Sequence, residues 1–135
     1  MSSILNQFSG NKKDVLMFLV YSGESINETN LRAYAKFRKR TTNAVEKDLY
    51  DLYIKSIVKN YYFYSRGRES KLNPEYFFEA AVDMIHNEKN VLTSFKTYFP
   101  KRSQTAEFLW ILAEMLAGVR PVTSVAGKFP DGTGP

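Results

Sequence analysis

At 135 residues and 15.6 kDa, with 44% hydrophobic and 24% charged residues, the chain has the composition of one compact globular unit rather than two. The absence of cysteine and the presence of a single histidine, His86, exclude a disulfide framework, a cysteine nucleophile and the common zinc clusters, so no metal, cofactor or enzymatic activity is expected. Nineteen Lys and Arg against fourteen Asp and Glu give +5 overall, but eleven basic and four acidic residues lie between Arg32 and Lys71, a local charge of +7.

The first thirty residues do not combine a basic start, an apolar run and a small-residue cleavage site. The longest early apolar run, Val15 to Tyr21, is far short of the roughly 20 residues a bilayer needs, so a cytoplasmic protein is expected.

Residues 1–10 read as a polar N-terminal arm. From Asn11 to Tyr21, Val15, Phe18 and Leu19 fall at helical spacing, with Leu16 and Val20 widening the stripe, and Ser22-Gly23 closes this first helix. Ser25-Ile26-Asn27-Glu28 has the Ser-x-x-Glu form of a capping box, and Leu31, Tyr34 and Ala35 carry a second helix to about Phe37. Arg38-Lys39-Arg40-Thr41-Thr42-Asn43 is a basic turn ending in three good N-cap residues.

The third helix, Thr42 to Lys55, places Val45, Leu49 and Leu52 within about 60° of one another, while Asn43, Lys47, Tyr50 and Ile54 cluster on the opposite side. One face is expected to be buried and the other free to meet a partner. Ile57 to Tyr64, β-branched and aromatic, predicts a strand. Ser65-Arg66-Gly67-Arg68-Glu69-Ser70 predicts a basic turn, and Lys71-Leu72-Asn73 a short returning strand.

Asn73-Pro74-Glu75 opens a fourth helix whose buried side is Phe77, Ala81, Met84 and Ile85. A short helix near Val91 to Phe99 stops at Pro100. A longer one, Ser103 to Ala117, has a stripe of Phe108, Leu109, Leu112, Met115 and Leu116 that leaves Trp110 and Ile111 outside it. After Gly118 the sequence has no sustained period and reads as a flexible tail over 119–135.

The resulting fold class is mainly α with a small β-hairpin. Its order, helix, helix, turn, helix, strand, basic turn, strand, helix, is that of a winged helix-turn-helix domain. Thr42-Asn43-Ala44-Val45, then Leu49, Leu52 and Ile57-Val58, resembles the recognition helix of MarR-like and PadR-like regulators, where Ser/Thr-x-x-Val leads to two spaced leucines and a glycine-containing exit into the wing. Lys71-Leu72-Asn73-Pro74-Glu75 is similar to the junction by which those regulators leave the wing. The resemblance covers roughly Asn11 to His86; Ser56 stands where the family usually has glycine, and no glycine follows Glu75. It implies a winged-helix domain over 11–88, with C-terminal helices over 89–118 that could dimerise.

The function it implies is double-stranded DNA binding by a transcriptional regulator, because a major groove about 12 Å wide admits one helix whose N-terminal side chains read base edges. Asn43 suits adenine, Glu46 a cytosine amine, Lys47 guanine or phosphate, and Tyr50 lies on the same face. Thr41 and Thr42 suit a phosphate, with Arg38, Lys39 and Arg40 before them and Arg66, Arg68 and Lys71 on the wing. Glu46 could instead cap Asn43, the Arg38–Arg40 run could be a solvated turn, and Tyr61 to Tyr64 could stack bases or shield the wing. Trp110 and Ile111 require burial, by the chain's own core or by a second copy, and the resemblance implies a homodimer. The competing expectation is a winged-helix module that binds another protein and makes no direct DNA contact.

Overall fold

The structure, a computed structural model, describes residues 3–23, 25–63 and 67–122, without the side chains of 60–63 and 68. The protein is mainly helical with one small antiparallel sheet. In chain order the elements are a 3₁₀ turn at Ile4–Gln7, α1 (Gly10–Tyr21), β1 (Ser25–Ile26), α2 (Glu28–Phe37), α3 (Thr42–Ile54), β2 (Val58–Phe63) and β3 (Gly67–Leu72). A second 3₁₀ turn at Pro74–Tyr76 leads into α4 (Phe77–Asn87), α5 (Lys89–Tyr98) and α6 (Gln104–Leu116). The tail expected after Gly118 falls mostly outside the described residues.

α1 is the axis of the fold. Every residue from Val15 to Tyr21 is buried, the pattern of a helix covered on all sides, so the continuous apolar run marks the centre of the core. Phe18 meets Tyr34 of α2 at 4.6 Å between ring centroids, Phe95 of α5 at 5.4 Å and Phe99 at 4.8 Å. The buried faces read from the sequence for α2 (Leu31, Tyr34, Ala35), α3 (Val45, Leu49, Leu52) and α4 (Phe77, Ala81, Met84, Ile85) all point inward.

Three expectations are corrected. Ser25 and Ile26 do not cap α2; they form β1, which pairs antiparallel with β3 through Ser25↔Lys71 and Ile26↔Ser70, and the sheet order is β1-β3-β2. The α2 cap is Asn27, whose Oδ1 accepts from the Asn30 amide at 2.9 Å. Residues 1–10 are not merely a polar arm, because Ile4 and Leu5 are buried and the Ser3 hydroxyl donates to Asp83 of α4.

The third correction concerns α6. Its buried face is Ala106, Trp110 and Ala113, not the leucine-rich stripe. Two alanines flanking the indole let the helix approach α1 closely: Gly23, at φ +85°, has no room for a Cβ, which would sit 2.5 Å from Ala106 Cβ. The Trp110 Nε1–H points at the last carbonyls of α1, lying 3.2 Å from Val20 O, which also accepts the Gly23 amide, and 3.1 Å from Tyr21 O, which the Arg102 Nη1 also approaches at 3.3 Å. The burial that Trp110 requires is therefore supplied by this chain's own core.

Candidate nucleic-acid interface

The turn between α2 and α3 is built by a Schellman motif. The Lys39 amide bonds Lys36 O at 3.1 Å and the Arg40 amide bonds Ala35 O at 2.9 Å, which requires Lys39 to adopt the left-handed φ of 55°. Thr41 is the N-cap of α3, its Oγ1 accepting from the Ala44 amide at 3.1 Å. With the cap at Thr41, Glu46 stands too far along the helix to complete a capping box, so that expectation is set aside.

The three basic residues of the turn have different situations. Arg38 places Nε 2.8 Å from Asp14 Oδ2 and Nη2 2.9 Å from Asp14 Oδ1, and Tyr34 donates its phenol to the same carboxylate. Arg40 places Nη2 2.7 Å from Asp48 Oδ2, with Nη1 buried and without a hydrogen-bond partner. Lys39 alone projects as an exposed cation. The two arginines thus hold the turn against α1 and α3, and charge alone gave no warning of this, since Asp14 and Asp48 lie in other elements.

The outward face of α3 is the one read from the sequence. Asn43, Lys47, Tyr50 and Ile54 are all exposed, Tyr50 at 53% and Ile54 at 61%. Tyr53, not singled out by the stripe, is also exposed and sets its ring 6.0 Å from that of Tyr50. Thr41 is exposed, and Thr42 and Glu46 are half-buried.

The charge on this helix is sorted by side. Asp48 is taken by Arg40, and Asp51 by Lys12 of α1 at 3.1 Å, so these two carboxylates anchor the helix inward while Lys47 and Lys55 face outward; Glu46, half-buried, is not part of either pair. The positive end of the helix dipole adds to them near Asn43.

The sheet contributes a second basic strip. Lys59 of β2 and Lys71 of β3 are directly opposite one another and exposed, while the next pair along, Val58 and Leu72, faces the core. Like charges opposite one another repel and are tolerated where solvent or an anion screens them. Lys59 was legible only as one of the eleven basic residues between Arg32 and Lys71. Of the expected wing contacts, Arg66 lies outside the described residues, as does the side chain of Arg68. So do the side chains of Tyr61 to Tyr64.

The exit from α3 accounts for the glycine of the resembled pattern, which Ser56 replaces here. Ser56 is left-handed, φ 61°, and forms the second Schellman motif with its amide on Tyr53 O and the Ile57 amide on Leu52 O, both at 3.0 Å. That conformation favours glycine, and here serine occupies it.

His86 is exposed in the last turn of α4, and among the described residues no group of three or more His, Asp or Glu side chains could hold a metal ion. No described helix is long and apolar enough to cross a membrane. In comparisons with protein-family models, curated proteins and solved structures, none matches this chain.

Proposed function

We propose that this protein is a cytoplasmic winged-helix regulator of transcription that binds double-stranded DNA, with α3 in the major groove. Lys39 and Thr41 would lie against one phosphate strand and the Lys59–Lys71 strip against another. The order α1, β1, α2, α3, β2, β3, with β1 paired to β3, supports the winged-helix reading, as does the resemblance over Thr42 to Glu75.

The observation that carries the proposal is the sorting of charge on α3. Its aspartates are held inward by Arg40 and Lys12, leaving Asn43, Lys47 and Tyr50 as an exposed, basic stripe at the end of the helix that would enter a groove. Asn43 offers an amide to an adenine edge and Lys47 an ammonium to guanine or phosphate. Arg38 and Arg40 act indirectly, by fixing the turn that aims the helix. A fluorescence-anisotropy titration with labelled duplex tests this: micromolar or tighter binding at low salt is expected, and no binding at low salt would overturn it.

A second reading rests on Tyr50, Tyr53 and Ile54, a contiguous exposed apolar group that suits a protein partner. Duplex binding that survives a Tyr53→Ala/Ile54→Ala double change favours DNA. An absence of duplex binding, with association abolished by that double change, favours the protein.

We also infer a homodimer, formed through the outer side of α6 at Ile111, Leu112, Met115 and Leu116, with Trp110 taking no part. These residues are only half-covered, and Leu116 is 67% exposed. Two-fold pairing would set two α3 helices roughly 34 Å apart, one DNA turn. Sedimentation equilibrium should show a dimer that Leu112→Glu/Leu116→Glu converts to a monomer; a wild-type monomer would contradict it.

A further inference from the structure

Beside the α2–α3 turn, and sharing only Lys39 with the proposed duplex face, lies a groove of about 510 Å³ formed by Ala33, Lys36, Phe37 and Lys39 on one side and Tyr98 and Phe99 on the other. Its wall is aromatic. Tyr98 at the end of α5 is 64% exposed and sits 4.5 Å from Phe37 between ring centroids, while Phe37 packs in turn on Phe99 at 5.3 Å. Its rim is cationic: Lys36 and Lys39 are exposed, neither has a carboxylate within ion-pair distance among the described residues, and no lining residue is acidic.

We propose that this groove binds a nucleotide unit, with the base laid on the Tyr98 ring and the phosphate held by Lys36 and Lys39. A flat aromatic surface with two cations along one edge matches a planar base carrying an anion at its end, the combination used for single-stranded nucleic acid. An acidic peptide would satisfy the lysines but would need an aromatic residue beside its carboxylates to cover Tyr98, whereas every nucleotide carries the planar base and the anion in one unit. The inner side of the ring rests on Phe37, which is itself packed by Phe99 and by the Arg38 guanidinium, 4.6 Å from the Phe37 ring centre.

The same chemistry is offered by a free nucleotide and by an unpaired strand, and two probes separate them. Adenosine 5′-monophosphate and a short single-stranded oligodeoxyadenylate are titrated into ¹⁵N-labelled full-length protein. Shifts in the amides of Lys36, Phe37, Lys39 and Tyr98 are expected with the strand. Saturation by the mononucleotide as well assigns the groove to the nucleotide unit alone, and shifts with the strand only assign it to nucleic acid. Tyr98→Ala should weaken strand binding about tenfold, while Tyr98→Phe, which keeps the ring, should bind as wild type. Lys36→Ala/Lys39→Ala should make binding less steeply salt-dependent. Because Tyr98 lies outside the α3 face, Tyr98→Ala should leave duplex affinity within about twofold. Absence of shifts with either probe, or equal strand affinity for wild type and Tyr98→Ala, would overturn the proposal whatever the outcome with duplex DNA.

Discussion

Arg38 grips Asp14 with two nearly parallel bonds, of 2.8 Å and 2.9 Å, across the packing of α2 on α1, and the Tyr34 phenol completes the carboxylate's set of donors. Both charged side chains are mostly covered, so this is a structural clamp on the turn before α3. Asp14→Ala leaves a guanidinium and a phenol without their acceptor and should cost about 2–3 kcal/mol. Urea unfolding is expected to show a lower midpoint with an unchanged slope. With Asp14 in place, Arg38→Lys should cost less than Arg38→Ala but still lower the midpoint, because an ammonium keeps the charge and cannot make the paired bonds. Full stability in Asp14→Ala would show that the clamp carries no net weight.

The left-handed Ser56 makes a prediction of opposite sign. An L-residue pays about 1–2 kcal/mol to sit at positive φ, whereas glycine pays mainly in unfolded-state entropy. Ser56→Gly should therefore stabilise the protein by about 0.5–1 kcal/mol, read as a higher Tm, and Ser56→Val should destabilise it. The Asn73 side chain donates to the Ser56 backbone carbonyl, a bond that the glycine change keeps. A lower Tm for Ser56→Gly would contradict this account of the α3 exit.

Gly23 is the reverse case. It combines φ +85° with the close approach of α6, whose Ala106 Cα would lie 2.8 Å from an added Cβ. Gly23→Ala should cost about 2–4 kcal/mol through backbone strain and displacement of α6. The Trp110 fluorescence should shift to the red as its ring loses cover. An unchanged Tm and emission would mean that α6 gives way freely.

The helices were legible because apolar residues recur at helical spacing in each, and the buried face of α3 was read to the residue, while its exposed face was read without Tyr53. What was not legible has physical causes. β1 is two residues long and exists only because β3 pairs with it, so no periodicity announces it, and its serine mimics a cap. On α6 the leucine-rich stripe lies on the outer side, while the inner side is Trp110 between two alanines, whose value is closeness and not size. The basic run between Arg32 and Lys71 was legible as charge. That Asp14, outside that run, and Asp48 would consume two of its arginines depended on the packing of α1, α2 and α3.

Two phenols set an alkaline limit. Burial, then the hydrogen bond to Asp14, holds the Tyr34 pKa far above the ordinary 10.0, and burial raises that of Tyr21, whose hydroxyl donates to Phe99 O. A folded-state pKa above the unfolded value gives stability that is complete below pH 10.0 and is lost as pH rises beyond it, because the unfolded chain alone can release those protons. Of the nine tyrosines, two should form tyrosinate only together with the loss of helical circular dichroism. Ionisation of all nine with the helix signal intact would contradict the burial of these rings.

The most direct test of the central claim is the salt dependence of duplex binding for wild type, Lys47→Ala and Arg38→Ala. With α3 in the groove, Lys47→Ala should weaken binding and lower the slope of log K against log salt by about 1. Arg38→Ala, whose partner is Asp14, should lower stability and leave the slope unchanged under conditions where the protein is folded. Absence of binding at low salt, or a Lys47→Ala protein indistinguishable from wild type in affinity and slope, would contradict the assignment of α3 to DNA.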